Sequence, residues 1–470
     1  MLALVLAAQL GLHAKPCVEG KTRVAALCGT FGVYENRASR SGRIIPIAFV
    51  VLKAQHPSGR AIYFNPGGPG GVIVQFAGFV ADGAFQKELS TLRDRYDILL
   101  VDNRGMGASH GFNCGLYANQ RTYFMQLWPQ TELAACRTRL LADTDLSAYT
   151  TNNAVDDLDD LRAALGYRKL VLDGDSYGTF TSFIYMRRHP GHVESAVLDG
   201  VAPPSFLIVP LEDAGGAQLA IDGIIADCKT DASCNAHFPQ LAAHFAVVAK
   251  RFDNGPVTVR VKDPKRKHMV TLQLSKQVFG DRLRQLMYGP GDYVPYIVEE
   301  AYRGDYVPMG MMVDDVTQGF ASGLDFAVNL SYTCAEQVPF ITEADVARTS
   351  AGSFLGDARV RAQQAACALW HVQALPASFN TPVRSDAPIL MISGNNDPAS
   401  PAQYAADALL YLPNAKRALV QGAGHIAETD CTDALKVAFV RAGSVRGLDV
   451  NGCTNAFKRP PFKTSMKGFE

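Results

Sequence analysis

Gly174-Asp175-Ser176-Tyr177-Gly178 lies between an apolar run and a helical pattern. This is G-x-S-x-G in a strand, turn and helix context, the setting of an activated serine. A serine on so tight a turn is lifted clear of its sheet on strained backbone. Glycines on either side let neighbouring chain come close. The turn also aims the Tyr177 N–H and the helix N-terminus at a developing oxyanion. A hydroxyl is a weak nucleophile without a base. His425, in Gly422-Ala423-Gly424-His425, follows a short apolar run, and its glycines allow a loop that carries an imidazole over the sheet edge. His371 lies inside the helical pattern CALWHVQAL, where a packed or solvated histidine is expected.

The third member of such a triad is an acid that fixes the imidazole tautomer. Asp397 stands in Ser393-Gly394-Asn395-Asn396-Asp397-Pro398, after an apolar run, and Pro398 keeps it out of helix. Its rival is Asp199, at the end of the strand after the nucleophile helix. Glu428 and Asp430 read as solvated loop charges. A second oxyanion donor is expected in Gly67-Gly68-Pro69-Gly70, from Gly68 first and Gly67 next.

These residues need elements to hold them. Apolar runs at 45–52, 61–64, 96–101, 169–172 and 193–198 read as strands, and 153–165 reads as a helix. In that helix Val155, Leu158, Leu161 and Leu165 share a face, and Asp156, Asp157, Asp159 and Asp160 are expected to point away. From about 203 to 375 the pattern turns largely helical. Residues 263–268 (Asp-Pro-Lys-Arg-Lys-His) read there as a solvated hairpin or loop. After Pro388 the alternation of strand and helix returns. The expectation is an α/β-hydrolase fold with a mostly parallel central sheet and an inserted helical cap. The core occupies 15–204 and 381–470, and the cap 205–380.

The chain has 470 residues, 45 basic and 45 acidic, and is 48% hydrophobic. A balanced charge argues against nucleic acid and against an anionic membrane surface. The run 2–10 and Gly11-Leu12-His13-Ala14 resemble the end of a secretion signal cut after Ala14, and the run is too short to span a bilayer. Residues 1–14 are therefore read as a signal-peptide remnant. Ten cysteines fall as near neighbours with no C-x-x-C. They are expected to pair as 17–28, 114–136, 228–234, 334–367 and 431–453, in an oxidising compartment, secreted or periplasmic.

The segments NPGGPGG, VDNRGMGAS, GDSYGT, LDGVAPP, GNNDPASP and GAGH occur in an order that resembles the proline iminopeptidase and tripeptidyl-aminopeptidase branch of α/β-hydrolases. The likeness covers 45–204 and 388–440 and fades across the cap. Pro66 precedes the glycines where the narrower proline iminopeptidases carry histidine. The resemblance implies a serine exopeptidase acting on free peptide N-termini. It points to Glu336 as the carboxylate for the substrate ammonium, on a segment that a Cys334–Cys367 bridge would steady. The alternative is a carboxylesterase or lipase-like hydrolase of small acyl esters. No Walker loop, dinucleotide fingerprint or H-E-x-x-H motif occurs, so no cofactor or metal is expected. The partner is a peptide or small acyl substrate, with no nucleic acid and no membrane span.

Overall fold

The computed structural model describes residues 10–263 and 268–469. The apolar run at 2–9 and the basic residues 264–267 lie outside the described residues. Nine strands form one sheet: β1 (Gly11–Glu19), β2 (Val24–Tyr34), β3 (Ile44–Leu52), β4 (Arg60–Asn65), β5 (Tyr96–Val101), β6 (Leu170–Asp175), β7 (Val193–Asp199), β10 (Ile389–Gly394) and β11 (Ala415–Val420). Their order is β1-β2-β3-β5-β4-β6-β7-β10-β11. From β5 to β11 every pairing is parallel, while β1, β2 and β3 are antiparallel additions. In β6 and β10 every residue is buried, as expected of strands covered on both faces.

The sequence reading missed β1 and β2. β1 is an edge strand with residues 12–16 exposed, so it lacks the apolar run that marks the inner strands. Ala14 lies within it.

Among the helices used below are α1 (Lys87–Leu92), α2 (Thr151–Ala164), α3 (Tyr177–Arg188), α4 (Asp213–Thr230), α5 (Lys276–Leu286), α6 (Val307–Gly323), α7 (Phe326–Glu336), α8 (Ala358–Trp370) and α9 (Asp430–Ala442). Val155, Leu158 and Leu161 of α2 are buried, as their spacing predicts. Asp157 corrects the expectation of an outward acidic face. It is 1% exposed and takes two hydrogen bonds, at 2.7 and 2.9 Å, from the fully buried Arg104 of the VDNRG segment. Arg104 needs a carboxylate because an unpaired buried guanidinium is very costly.

The insertion between β7 and β10 is mainly helical. It also contains a hairpin of β8 (Val257–Lys262) and β9 (Met269–Leu274), flanking the stretch read as a hairpin or loop. All ten cysteines are paired, in the neighbour pattern expected from sequence. No helix among the described residues is long and apolar enough to cross a membrane.

Candidate active site

β4, β6, β7, β10 and β11 all point their carboxyl ends the same way, and each proposed site residue of the core lies at or just past one of those ends. Ser176 follows β6 directly and has φ 56° and ψ −123°, a conformation outside the ordinary regions for a residue with a side chain. The close approach that the flanking glycines were expected to allow is present. A Cβ on Gly178 would stand 2.0 Å from the Asn65 carbonyl oxygen, and one on Gly174 2.5 Å from the Gly178 oxygen. The Ser176 N–H donates to the Asp199 carbonyl at 2.9 Å, which pins the turn to the tip of β7.

His425 lies five residues past β11. Its Nδ1 is 2.9 Å from Asp397 Oδ2 and 3.0 Å from Oδ1. Asp397 is fully buried, and its Oδ1 also accepts the N–H groups of Ala399 (2.7 Å) and Ser400 (2.9 Å). Ser400 Oγ donates to Oδ2 at 2.7 Å. Burial opposes the charge of this carboxylate. The adjacent imidazole and these donors outweigh burial and hold the group below the usual carboxylate range. Asp199, the rival acid, is engaged elsewhere: Oδ1 accepts the Ala427 N–H at 3.1 Å and Oδ2 lies 3.6 Å from Lys436 Nζ. His371 is exposed at the C-terminal end of α8.

His425 Nε2 is a buried nitrogen without a hydrogen-bond partner among the described residues. The Ser176 hydroxyl is therefore not bonded to it. Both side chains border one cavity of about 580 Å³. Gly200 lies beside the ring, and a Cβ there would stand 2.9 Å from His425 Cε1. Catalytic hydrogen bonds are often long or misaligned before substrate binds.

Gly68 and Tyr177 border the same cavity, and no acceptor among the described residues takes either backbone N–H. Gly67 is less suited, because its N–H donates to Asn65 Oδ1 at 3.0 Å. The insertion grips this glycine loop. Asp325 N–H donates to Gly70 O at 2.9 Å, Val72 N–H to Gly323 O at 3.0 Å, and Asn329 Nδ2 to Pro69 O at 3.0 Å.

Glu336 does not border the cavity. It is fully buried behind Tyr177, whose hydroxyl donates to Oε2 at 2.6 Å. Thr151 donates to both oxygens, from N–H and hydroxyl. Burial, partly offset by these donors, raises its carboxyl to about 7. Its visible role is to fasten α3 to the start of α2, and the ligand role expected of it needs an opening that is absent here. The acids that do border the cavity are Asp213 and Asp315. Asp213 is held by Arg284 (3.1 Å) and Arg359 (3.3 Å). Asp315, on α6, is exposed and has no ion-pair or hydrogen-bond partner among the described residues, and burial of its flank followed by the neighbouring Asp314 raises its carboxyl. Sequence reasoning passed over Asp315 and Ser400. Asp315 sits in an insertion whose lining depends on tertiary packing, whereas Ser400 stood in the motif GNNDPASP and its hydroxyl was readable there.

Strand order, turn and site define an α/β-hydrolase enzyme. A profile described as "alpha/beta hydrolase fold" matches residues 60–233, and one described as "TAP-like protein" matches 352–452. The chain is 25% identical over 439 residues to the serine protease Hip1 of Mycobacterium tuberculosis, spanning 83% of this chain and 81% of that one. It is 32% identical over 161 residues to a tripeptidyl aminopeptidase of Streptomyces lividans, which covers 31% and 29% of the two chains. The proline iminopeptidase of Neisseria gonorrhoeae matches at 27% identity over 169 residues, 35% of this chain and 40% of that one. The chain thus has the α/β-hydrolase fold and is similar, at modest identity, to serine peptidases of that fold.

Proposed function

We propose that the chain is an exported serine exopeptidase that cleaves from free peptide N-termini through an acyl-enzyme. Ser176 Oγ passes its proton to His425 Nε2 and attacks the scissile carbonyl. Asp397 stabilises the imidazolium through Nδ1. The oxyanion is received by the Gly68 and Tyr177 N–H groups, each such donor typically supplying about 3 kcal/mol. The imidazolium then protonates the leaving amine, and water repeats the sequence to free the acyl group. The reaction requires the serine hydroxyl to turn onto Nε2 when substrate fills the cavity.

The observation that carries this reading is the buried Asp397–His425 pair opening on the same cavity as the strained Ser176. The exopeptidase part is supported by Asp315, an unneutralised carboxylate on the cavity wall where a substrate ammonium can be met. Export is supported by the five disulfides.

The test compares a peptide anilide carrying a free amine with its N-acetylated twin. A charge-assisted hydrogen bond of about 1.5–3 kcal/mol corresponds to roughly ten- to a hundredfold preference for the free amine. Equal rates on the pair, with faster turnover of simple esters, overturn the exopeptidase reading in favour of an esterase.

A further inference from the structure

Behind the Ser176 turn lies a buried charged layer that the proposed chemistry does not use. Glu88, Asp173, Asp175 and Asp199 are each at most 3% exposed. Lys436, also fully buried, places Nζ 3.4 Å from Glu88 Oε1 and 3.6 Å from Asp199 Oδ2. Four carboxyls around one ammonium leave negative charge where desolvation is severe. Protonation relieves part of it, since burial raises Asp173 to about 8.

At the outer rim of this layer two more acids approach Glu88. Glu428 stands three residues past His425 and is exposed. Asp433 lies in the first turn of α9. One carboxylate oxygen from each of Glu88, Glu428 and Asp433 lies within 4.8 Å of the other two. Glu88 Oε2 and Asp433 Oδ1 are buried oxygens with no hydrogen-bond partner among the described residues.

We propose that Glu88, Glu428 and Asp433 form a binding site for calcium. Oxygens bound to one calcium ion at about 2.4 Å lie no more than about 4.8 Å apart, and the three oxygens here fall inside that bound. An all-carboxylate set selects a hard cation over zinc or copper. Magnesium demands shorter bonds, near 2.1 Å, and a stricter octahedron. The exposed side at Glu428 leaves room for water to complete the shell. The nearby ammonium groups do not take the two unpartnered oxygens: Lys436 faces Glu88 Oε1, and Lys87 bonds Asp430 at 2.9 Å. The ion ties α1 and α9 to the loop that carries His425. The same loop is held from inside by the Ala427 to Asp199 hydrogen bond.

The test uses the full chain, stripped with a calcium chelator and then titrated with calcium chloride. Equilibrium dialysis is expected to find about one ion per chain. The unfolding midpoint is expected to rise by about 3 °C at a hundredfold excess over Kd. Glu428→Gln and Asp433→Asn alter rim residues, and the double variant is expected to lose both the bound ion and the rise. Absence of binding in the native chain overturns the site. So does a rise that persists undiminished in the double variant, or an equal rise with magnesium chloride. None of these readings depends on activity, so the site and the exopeptidase reading fail separately.

Discussion

Asp397 and His425 meet at 2.9 Å inside the protein, with the carboxylate fully buried and the Ser400 hydroxyl bonded to the same oxygen, Oδ2, only 3.3 Å from the same ring nitrogen. The acid is thus anchored before it touches the imidazole, and the ring inherits its orientation from the turn after β10.

Asp397→Asn is expected to leave the fold intact and lower kcat by about four orders of magnitude, because the amide favours the wrong tautomer of His425. Asp199→Asn is expected to act on stability instead, since it removes a buried partner of Lys436. Steady-state kinetics alongside thermal unfolding of both variants separates the two. A kcat loss of that size in Asp199→Asn with unchanged stability reverses the assignment.

Gly178→Ala places a methyl 2.0 Å from the Asn65 oxygen, which is backbone and has little room to yield. The expected loss is at least about 3 kcal/mol, enough to deplete soluble protein. Gly191 has no heavy atom within 4 Å of the added carbon, so Gly191→Ala is the matched control and is expected to unfold within about 0.5 kcal/mol of the parent. Urea denaturation reads both.

Asp315→Asn is expected to lower kcat/KM roughly ten- to a hundredfold for substrates with a free α-amine and to leave N-acylated ones unchanged. A uniform drop on both substrates, or none, removes Asp315 from ammonium recognition.

Glu336 predicts a pH dependence of stability. Its carboxyl moves from an ordinary value of 4.5 to about 7 on folding. Between those values the folded chain binds the extra proton, so stability falls as pH rises through this window. Relative to Glu336→Gln, the parent is expected to lose roughly 2–3 kcal/mol between about pH 5 and about pH 8. Urea melts at the two pH values check it, and a flat difference shows that Glu336 is charged throughout.

The inner strands, the sharp turn at Ser176 and the contact between Asp397 and His425 were legible because each signal is local: an apolar run, a glycine pair, a proline after an acid. The place of Gly68 on the cavity wall was legible for the same reason. Glu336 was misplaced because its environment is made by Tyr177, 159 residues away in sequence. Asp157 was misread for a related reason, since helical period assigns it to the outer face while Arg104, 53 residues earlier, draws it in. The edge strand β1 carries no core face to betray it.

The roof of the cavity and the glycine loop that carries Gly68 are stitched together, through Gly70 and Asp325, Val72 and Gly323, and Pro69 and Asn329. Under the proposed mechanism, raising the insertion to admit a bulky chain would therefore also pull the Gly68 amide away from the oxyanion. On that reading size is screened without any dedicated gate, since a polypeptide too thick to slip beneath the roof would disarm the machinery by entering.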